Sequence, residues 1–145
     1  MARITNTIDI DAPAREVYAA IRALDDYPTW LGHSIVYRGT KARTPRSGAS
    51  LTYEDSTMVG RMSGELVEEV PDHALQFHQA KPSGGLDALI RYDVGVVSTG
   101  TRVIRVGELT THGMLRIVQP ILLRMAAREG GRTMKALKAH LELKK

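Results

Sequence analysis

The sequence predicts an α+β domain in which an antiparallel sheet curves around a long C-terminal helix. Three observations carry this. Apolar residues alternate with polar ones at the N-terminus and again near residue 90, the period of a strand with one buried face. Gly, Pro, Asp and Ser punctuate residues 34–112 into short strand-like runs. From Gly113 onward the apolar residues return to helical spacing. The order is strand, helical elbow, antiparallel meander, long helix, which is α+β rather than βαβ.

Residues 3–11 read as the first strand, with Ile4, Asn6, Ile8 and Ile10 on one face and Thr5, Thr7 and Asp9 on the other. Asp11 is placed as an N-cap and Pro13 in the first helical turn, after which Val17, Tyr18, Ile21 and Leu24 follow a helical stripe. Asp25, Asp26 and Pro28 end that helix, and residues 27–31 form a second short helical turn or loop. The turn signals at 41–48, Pro71-Asp72 and 82–85 divide the middle of the chain into about six strands. Ala88, Ile90, Tyr92, Val94 and Val96 share one parity, so this strand is placed centrally with that face toward the core. The last segment is read as one long helix. Leu115, Val118, Leu122, Met125 and Ala126 form a first apolar stripe and Met134, Leu137 and Leu141 a second, with a bend expected at Pro120 or Gly130-Gly131.

A chain of 145 residues, 43% apolar and 25% charged, can bury one hydrophobic core, and residues 1–145 are read as a single domain. The absence of cysteine excludes disulfides, thiolate metal sites and a cysteine nucleophile. The N-terminus alternates and lacks a continuous apolar stretch, and no later run approaches the roughly 18 apolar residues of a span. A cytoplasmic protein without stable membrane insertion is therefore expected. The net charge of +4 is scattered among 16 acids, with the densest basic stretches at 41–46 and 124–145. A solvated surface, not a nucleic-acid site, is the expectation.

Ile8-Asp9-Ile10-Asp11-Ala12-Pro13, followed by Val17, Ile21, Leu24, Asp25, Asp26, Tyr27, Pro28 and Trp30, resembles the N-terminal signature of the START/Bet v1-like (SRPBCC) superfamily, in its polyketide cyclase/dehydrase and lipid-transport group. At the other end Pro120, Arg124, Met134, Leu137, Lys138 and Glu142 look like the closing helix of many members. The resemblance implies a helix-grip fold: a curved seven-stranded antiparallel sheet around the C-terminal helix, two short helices after the first strand, and a cavity for an apolar or amphipathic small molecule. These motifs specify fold far better than chemistry.

Trp30, Tyr53, Phe77 and Tyr92 are most of the larger aromatics in a chain with 5% aromatic residues, and are candidates to line such a cavity, with ordinary core packing as the competing reading. Trp30 follows Pro28 and shares a loop with His33, which places it near a pocket rim. Phe77 and His78 alternate, so one of them faces the cavity; Ile90 shares the face of Tyr92. Leu115, Val118, Leu122 and Met125 form the helical wall. Glu129, seven residues after Leu122, sets a carboxylate on the same stripe, either orienting a polar ligand group or acting as an acid, or else pairing at the mouth of the grip with Arg128, Arg132 or a basic residue of a strand. The candidates for acid–base chemistry are His33, His78, Asp55 and Arg61, although no spacing demands that they meet. No His-Glu-x-x-His, glycine-rich phosphate loop or G-x-S-x-G elbow is present, so no metal or cofactor is expected.

The first functional expectation is binding or transport of a hydrophobic small molecule (a lipid, quinone or polyketide-like compound) between sheet and helix. The alternatives are a polyketide aromatase/cyclase or dehydratase, and an interaction module resembling the Hsp90-activator branch of the scaffold. Whether the protein is an enzyme, and whether it forms a homodimer, stay open at this point.

Overall fold

The computed structural model describes residues 2–43 and 51–143. In chain order the elements are β1 (Ala2–Ile10), α1 (Ala14–Arg22), a 3₁₀ helix (Leu24–Thr29), β2 (Tyr37–Ala42), β3 (Thr52–Thr57), β4 (Gly60–Val70), β5 (Ala74–Ala80), β6 (Leu86–Val97), β7 (Gly100–Thr111), α2 (Met114–Ile117) and α3 (Gln119–Glu142). All seven strands form one curved antiparallel sheet of order β1-β7-β6-β5-β4-β3-β2. Six strands follow the elbow, as the turn signals predict, and β6 lies inside the sheet between β5 and β7. The expected turn at 41–48 falls largely outside the described residues.

The first strand joins the sheet by pairing with the last. β1 pairs with β7 in continuous register from Ala2↔Leu109 to Ile10↔Thr101. This turns Ile4, Asn6, Ile8 and Ile10 toward the inner face, as alternation requires. The C-terminal half of α3 then fills one end of the grip. Met134, Leu137 and Leu141 are buried in a cluster with Ile10, Val17, Ile21 and Val103, each such burial stabilising by about 2 kcal/mol. Lys138 and Glu142 fasten this end. Lys138 Nζ donates to the Asp9 carbonyl at 2.8 Å and to Glu142 at 2.7 Å, and the Asp11 backbone N–H donates to Glu142 at 2.9 Å. These are residues of the two terminal motifs, brought together.

Several local expectations are corrected. Pro13, not Asp11, occupies the N-cap position of α1, and its carbonyl accepts from the N–H groups of Glu16 and Val17. Pro28 sits inside the 3₁₀ helix. The last segment is two helices, divided at Val118, and Pro120 lies in the first turn of α3, where its missing N–H has no carbonyl to lose. Val96 is 81% exposed, because the tip of β6 runs beyond the core into the turn to β7.

Gly130-Gly131 does not break α3. A Cβ on Gly130 would stand 2.4 Å from Asn6 Oδ1 and 2.8 Å from an Arg105 guanidinium nitrogen. The glycine therefore permits the close approach of α3 to β1 and β7 instead of bending the helix.

Candidate functional site

With its C-terminal half in the core, α3 leaves its N-terminal half standing over the rest of the sheet. Leu122, Met125, Ala126, Glu129 and Thr133, at helical spacing, face inward across a cavity of about 220 Å³. The opposite wall is built from alternate strand residues. β3 contributes Tyr53, Asp55 and Thr57; β5 contributes Phe77 and Gln79; β6 contributes Ala88, Ile90 and Tyr92; and Arg105 comes from β7. Tyr53, Phe77 and Tyr92 form a row of edge-to-face aromatics, with centroids 5.8 and 6.1 Å apart.

Polar groups gather in one network on this otherwise apolar wall. Thr40 Oγ1 donates to Asp55 Oδ1 at 2.6 Å, so the Tyr37 hydroxyl, 2.5 Å from Thr40 Oγ1, is the donor of that pair. Gln79 Nε2 donates to Asp55 Oδ2 at 3.1 Å and to the Tyr53 hydroxyl at 2.6 Å. Tyr53 thus accepts from Gln79 and keeps its own proton for another acceptor. Gln79 and Tyr53 lie on strands separated by β4, and both pair in register with Gly64. A Cβ there would stand 2.2 Å from the Tyr53 ring, so the network exists because β4 carries no side chain at that position.

Asp55 is half-buried by area, but what it exposes opens onto the cavity. Withdrawal from bulk water pushes its carboxyl up to about 6, against the opposing hydrogen bonds of Thr40 and Gln79 and the charge of Arg105. Burial likewise pushes Tyr37 up to about 12 and Tyr53 well above its ordinary value, so both phenols act as donors rather than bases. Arg105 Nε donates to the Tyr92 hydroxyl at 3.1 Å, with its guanidinium over the Tyr92 ring. No described carboxylate lies within ion-pair distance of Arg105, so this cavity cation is neutralised by no direct partner.

Where α3 meets the loop after the elbow, Glu129 accepts from Ser34 Oγ at 2.5 Å and from Arg132 Nε at 2.9 Å, while Arg132 also donates to the Gly32 carbonyl at 2.8 Å. The loop after the elbow is thereby tied to α3. Glu129 both lines the cavity and pairs with Arg132, combining the two readings of its position.

Of the residues singled out in the sequence, Tyr53, Phe77, Ile90, Tyr92, Leu122, Met125 and Glu129 line the cavity, and Asp55 joins them. Trp30, His78, Leu115 and Val118 do not. Trp30 packs instead beside Tyr27 and His140. His78 lies on the opposite parity of β5 from Phe77, 2.6 Å from Asp87. Leu115 belongs to α2 and lies near Gly85, and Val118 is the exposed junction between α2 and α3. Of the remaining acid–base candidates, Arg61 is a 75% exposed side chain near Glu54, and the exposed His33 sits outside the cavity against Tyr37. Arg105, Tyr37, Thr40 and Gln79 were not anticipated. Alternation within β5 signals Gln79, two residues from Phe77, and Arg105 faces Asn6 across the β1–β7 pair; a bulge between Tyr37 and Thr40 hides the other two.

The same architecture recurs in solved structures. The chain superposes on TTHA0849 from Thermus thermophilus with a TM-score of 0.79 at 14% identity, covering 98% of each chain. For the ZhuI aromatase/cyclase from Streptomyces sp. R1128 the TM-score is 0.78 at 9% identity, over 97% of this chain and 93% of the other. For BexL, a di-domain aromatase/cyclase from the BE-7585A biosynthetic pathway, it is 0.76 at 18% identity, over 97% of this chain and 50% of BexL, so the chain spans half of that protein. At these identities the likeness concerns the fold. Among curated protein sequences there is no significant match. The family model for polyketide cyclase/dehydrase and lipid transport matches residues 1–142, and the chain belongs to that family.

Proposed function

We propose that the protein binds a small, largely apolar molecule bearing at least one oxygen function, held between the sheet and the N-terminal half of α3. The observation that carries this reading is the cavity of about 220 Å³, whose largely aromatic and aliphatic wall carries a connected polar group, Tyr37–Thr40–Asp55–Gln79–Tyr53, with Arg105 also lining it. An apolar cavity of ~150 Å³ admits benzene, so this one accepts a somewhat larger ring compound without rearrangement. The polar cluster reads the oxygen: the free Tyr53 proton donates to it, and Arg105 favours partial negative charge on it.

A second reading, aromatase/cyclase or dehydratase chemistry on a polyketide-like substrate, is favoured by Asp55. A carboxyl poised near 6 is populated in both protonation states close to neutrality, as a general acid or base requires, and ZhuI and BexL are described as aromatase/cyclases.

Native and denaturing mass spectra of freshly purified protein, with organic extraction, test the binding reading. A defined adduct lost on denaturation is expected, and is expected to be absent from Ala126→Phe, which fills the cavity. A clean unliganded mass, together with no thermal shift from a panel of small phenols and quinones, would remove it. Asp55→Asn separates the two readings: a carrier keeps its adduct and its exchange rate, whereas an enzyme keeps the adduct and loses turnover.

A further inference from the structure

Next to the cavity wall formed by Leu122 and Met125 the chain carries a surface that the core does not use. Met114 and Ile117 of α2 and Ile121 of α3 are 84%, 80% and 61% exposed, and Val118 between them is also exposed. Three arginines, Arg116, Arg124 and Arg128, are exposed on the same stretch, and none has a described carboxylate within ion-pair distance. Between Glu108 and Glu129 the sequence contains no acidic residue at all. The whole-chain count of charges conceals this local excess of cation, because the acids lie elsewhere.

We propose that this surface docks the protein peripherally on an anionic lipid bilayer, with the apolar side chains entering the headgroup boundary and the arginines meeting lipid phosphates. The charge pattern selects an anionic partner, and apolar side chains protruding from the end of one helix and the start of the next suit a deformable interface better than a preformed protein groove. Location adds a consequence. Leu122 and Met125, next along α3, line the cavity, and so do Val36 and the exposed Met58 of the facing loops. A docked molecule would therefore hold this side of its cavity near the lipid, where an apolar ligand resides. Docking does not depend on the ligand reading and fails separately from it.

Vesicle flotation of the full chain tests this, using vesicles of phosphatidylcholine alone, phosphatidylglycerol alone and an equal mixture. Binding is expected to rise with phosphatidylglycerol content and to fall with salt. Each of Arg116→Gln, Arg124→Gln and Arg128→Gln should lower partitioning about fivefold, and Ile117→Ser with Ile121→Ser should lower it more than tenfold, with the far-UV spectrum and melting temperature unchanged. No flotation with phosphatidylglycerol, or flotation unaffected by both sets of variants, overturns the proposal. Equal binding to soluble poly-glutamate that ignores the isoleucine changes would overturn it in favour of an acidic protein partner. A dimer abolished by the isoleucine changes, without flotation, would overturn it in favour of a second copy of the chain.

Discussion

Replacing Asp55 by Asn isolates the cost of holding a carboxylate against the cavity. The native carboxyl is raised from an ordinary 3.8 to about 6, chiefly by burial. Below about pH 4 the group is protonated in folded and unfolded chains alike and contributes nothing to the pH dependence. Between about pH 4 and pH 6 the unfolded chain releases a proton that the folded chain retains, so stability falls as pH rises; above about pH 6 the loss is complete. A displacement of roughly two units corresponds to about 3 kcal/mol. Asn stays neutral throughout and lacks this slope.

The substitution also alters the hydrogen bonds. Asn Oδ1 still accepts from Thr40, but its amide meets the Gln79 amide, which must turn and loosen its bond to Tyr53. That cost does not depend on pH. The informative quantity is therefore the variant's stability relative to wild type, from urea unfolding, at about pH 4 and again at about pH 8. It should move in favour of Asn by about 3 kcal/mol over that interval, while groups such as Glu69 titrate in both proteins and cancel. Parallel stability–pH curves would refute the reasoning, because Asp55 would then be as well solvated as an ordinary surface carboxylate and the polar cluster would not be poised for proton transfer.

Other expectations follow from the close approaches around the cavity. Gly130→Ala should cost about 1–3 kcal/mol in urea unfolding despite the better helix propensity of Ala, since its methyl meets Asn6 and Arg105; Gly131→Ala, whose Cβ would be 3.7 Å from Asn6, should instead stabilise by about 0.5–1 kcal/mol. Gly64→Ala displaces the Tyr53 ring and separates it from Gln79, which should cost about 1–3 kcal/mol and change the near-ultraviolet circular dichroism of the tyrosines. Glu129→Gln weakens the tie between α3 and the loop after the elbow, and amide exchange around residues 32–37 should quicken on the order of tenfold while the core of β6 and β7 is unaffected.

The architecture was legible because it rests on period and punctuation. Ile4, Ile8 and Ile10 alternate, the middle of the chain is cut by turn residues, and Met134, Leu137 and Leu141 repeat at helical spacing; each pattern is local, and the sheet and grip follow from it. Failures came where local chemistry has two uses. Pro120 and Gly130 are residues that bend helices, but one sits in a first turn and the other at a contact with β1. Only the partner across the fold decides between these roles. Leu115 and Val118 extend the helical stripe in sequence, yet the chain breaks into two helices at Val118 and neither residue lines the cavity.

Half of the cavity chemistry was hidden for a related reason. Aromatics announce themselves by size and by strand parity, so Tyr53, Phe77 and Tyr92 could be named without knowing which strands are neighbours. The polar cluster is a property of register. Asp55, Gln79 and Thr40 come from three strands and meet because Gly64 leaves a gap in a fourth, and nothing in the spacing of 40, 55, 64 and 79 encodes that meeting. The glycine is the economical predictor in retrospect: a Gly within a run that alternates exposed Arg61, Ser63 and Glu65 with buried Met62 and Leu66 stands at an inward position with no side chain. An inward glycine in a strand interior marks a place where something else must fill the space, and here the occupant is the Tyr53 ring, which also lines the cavity.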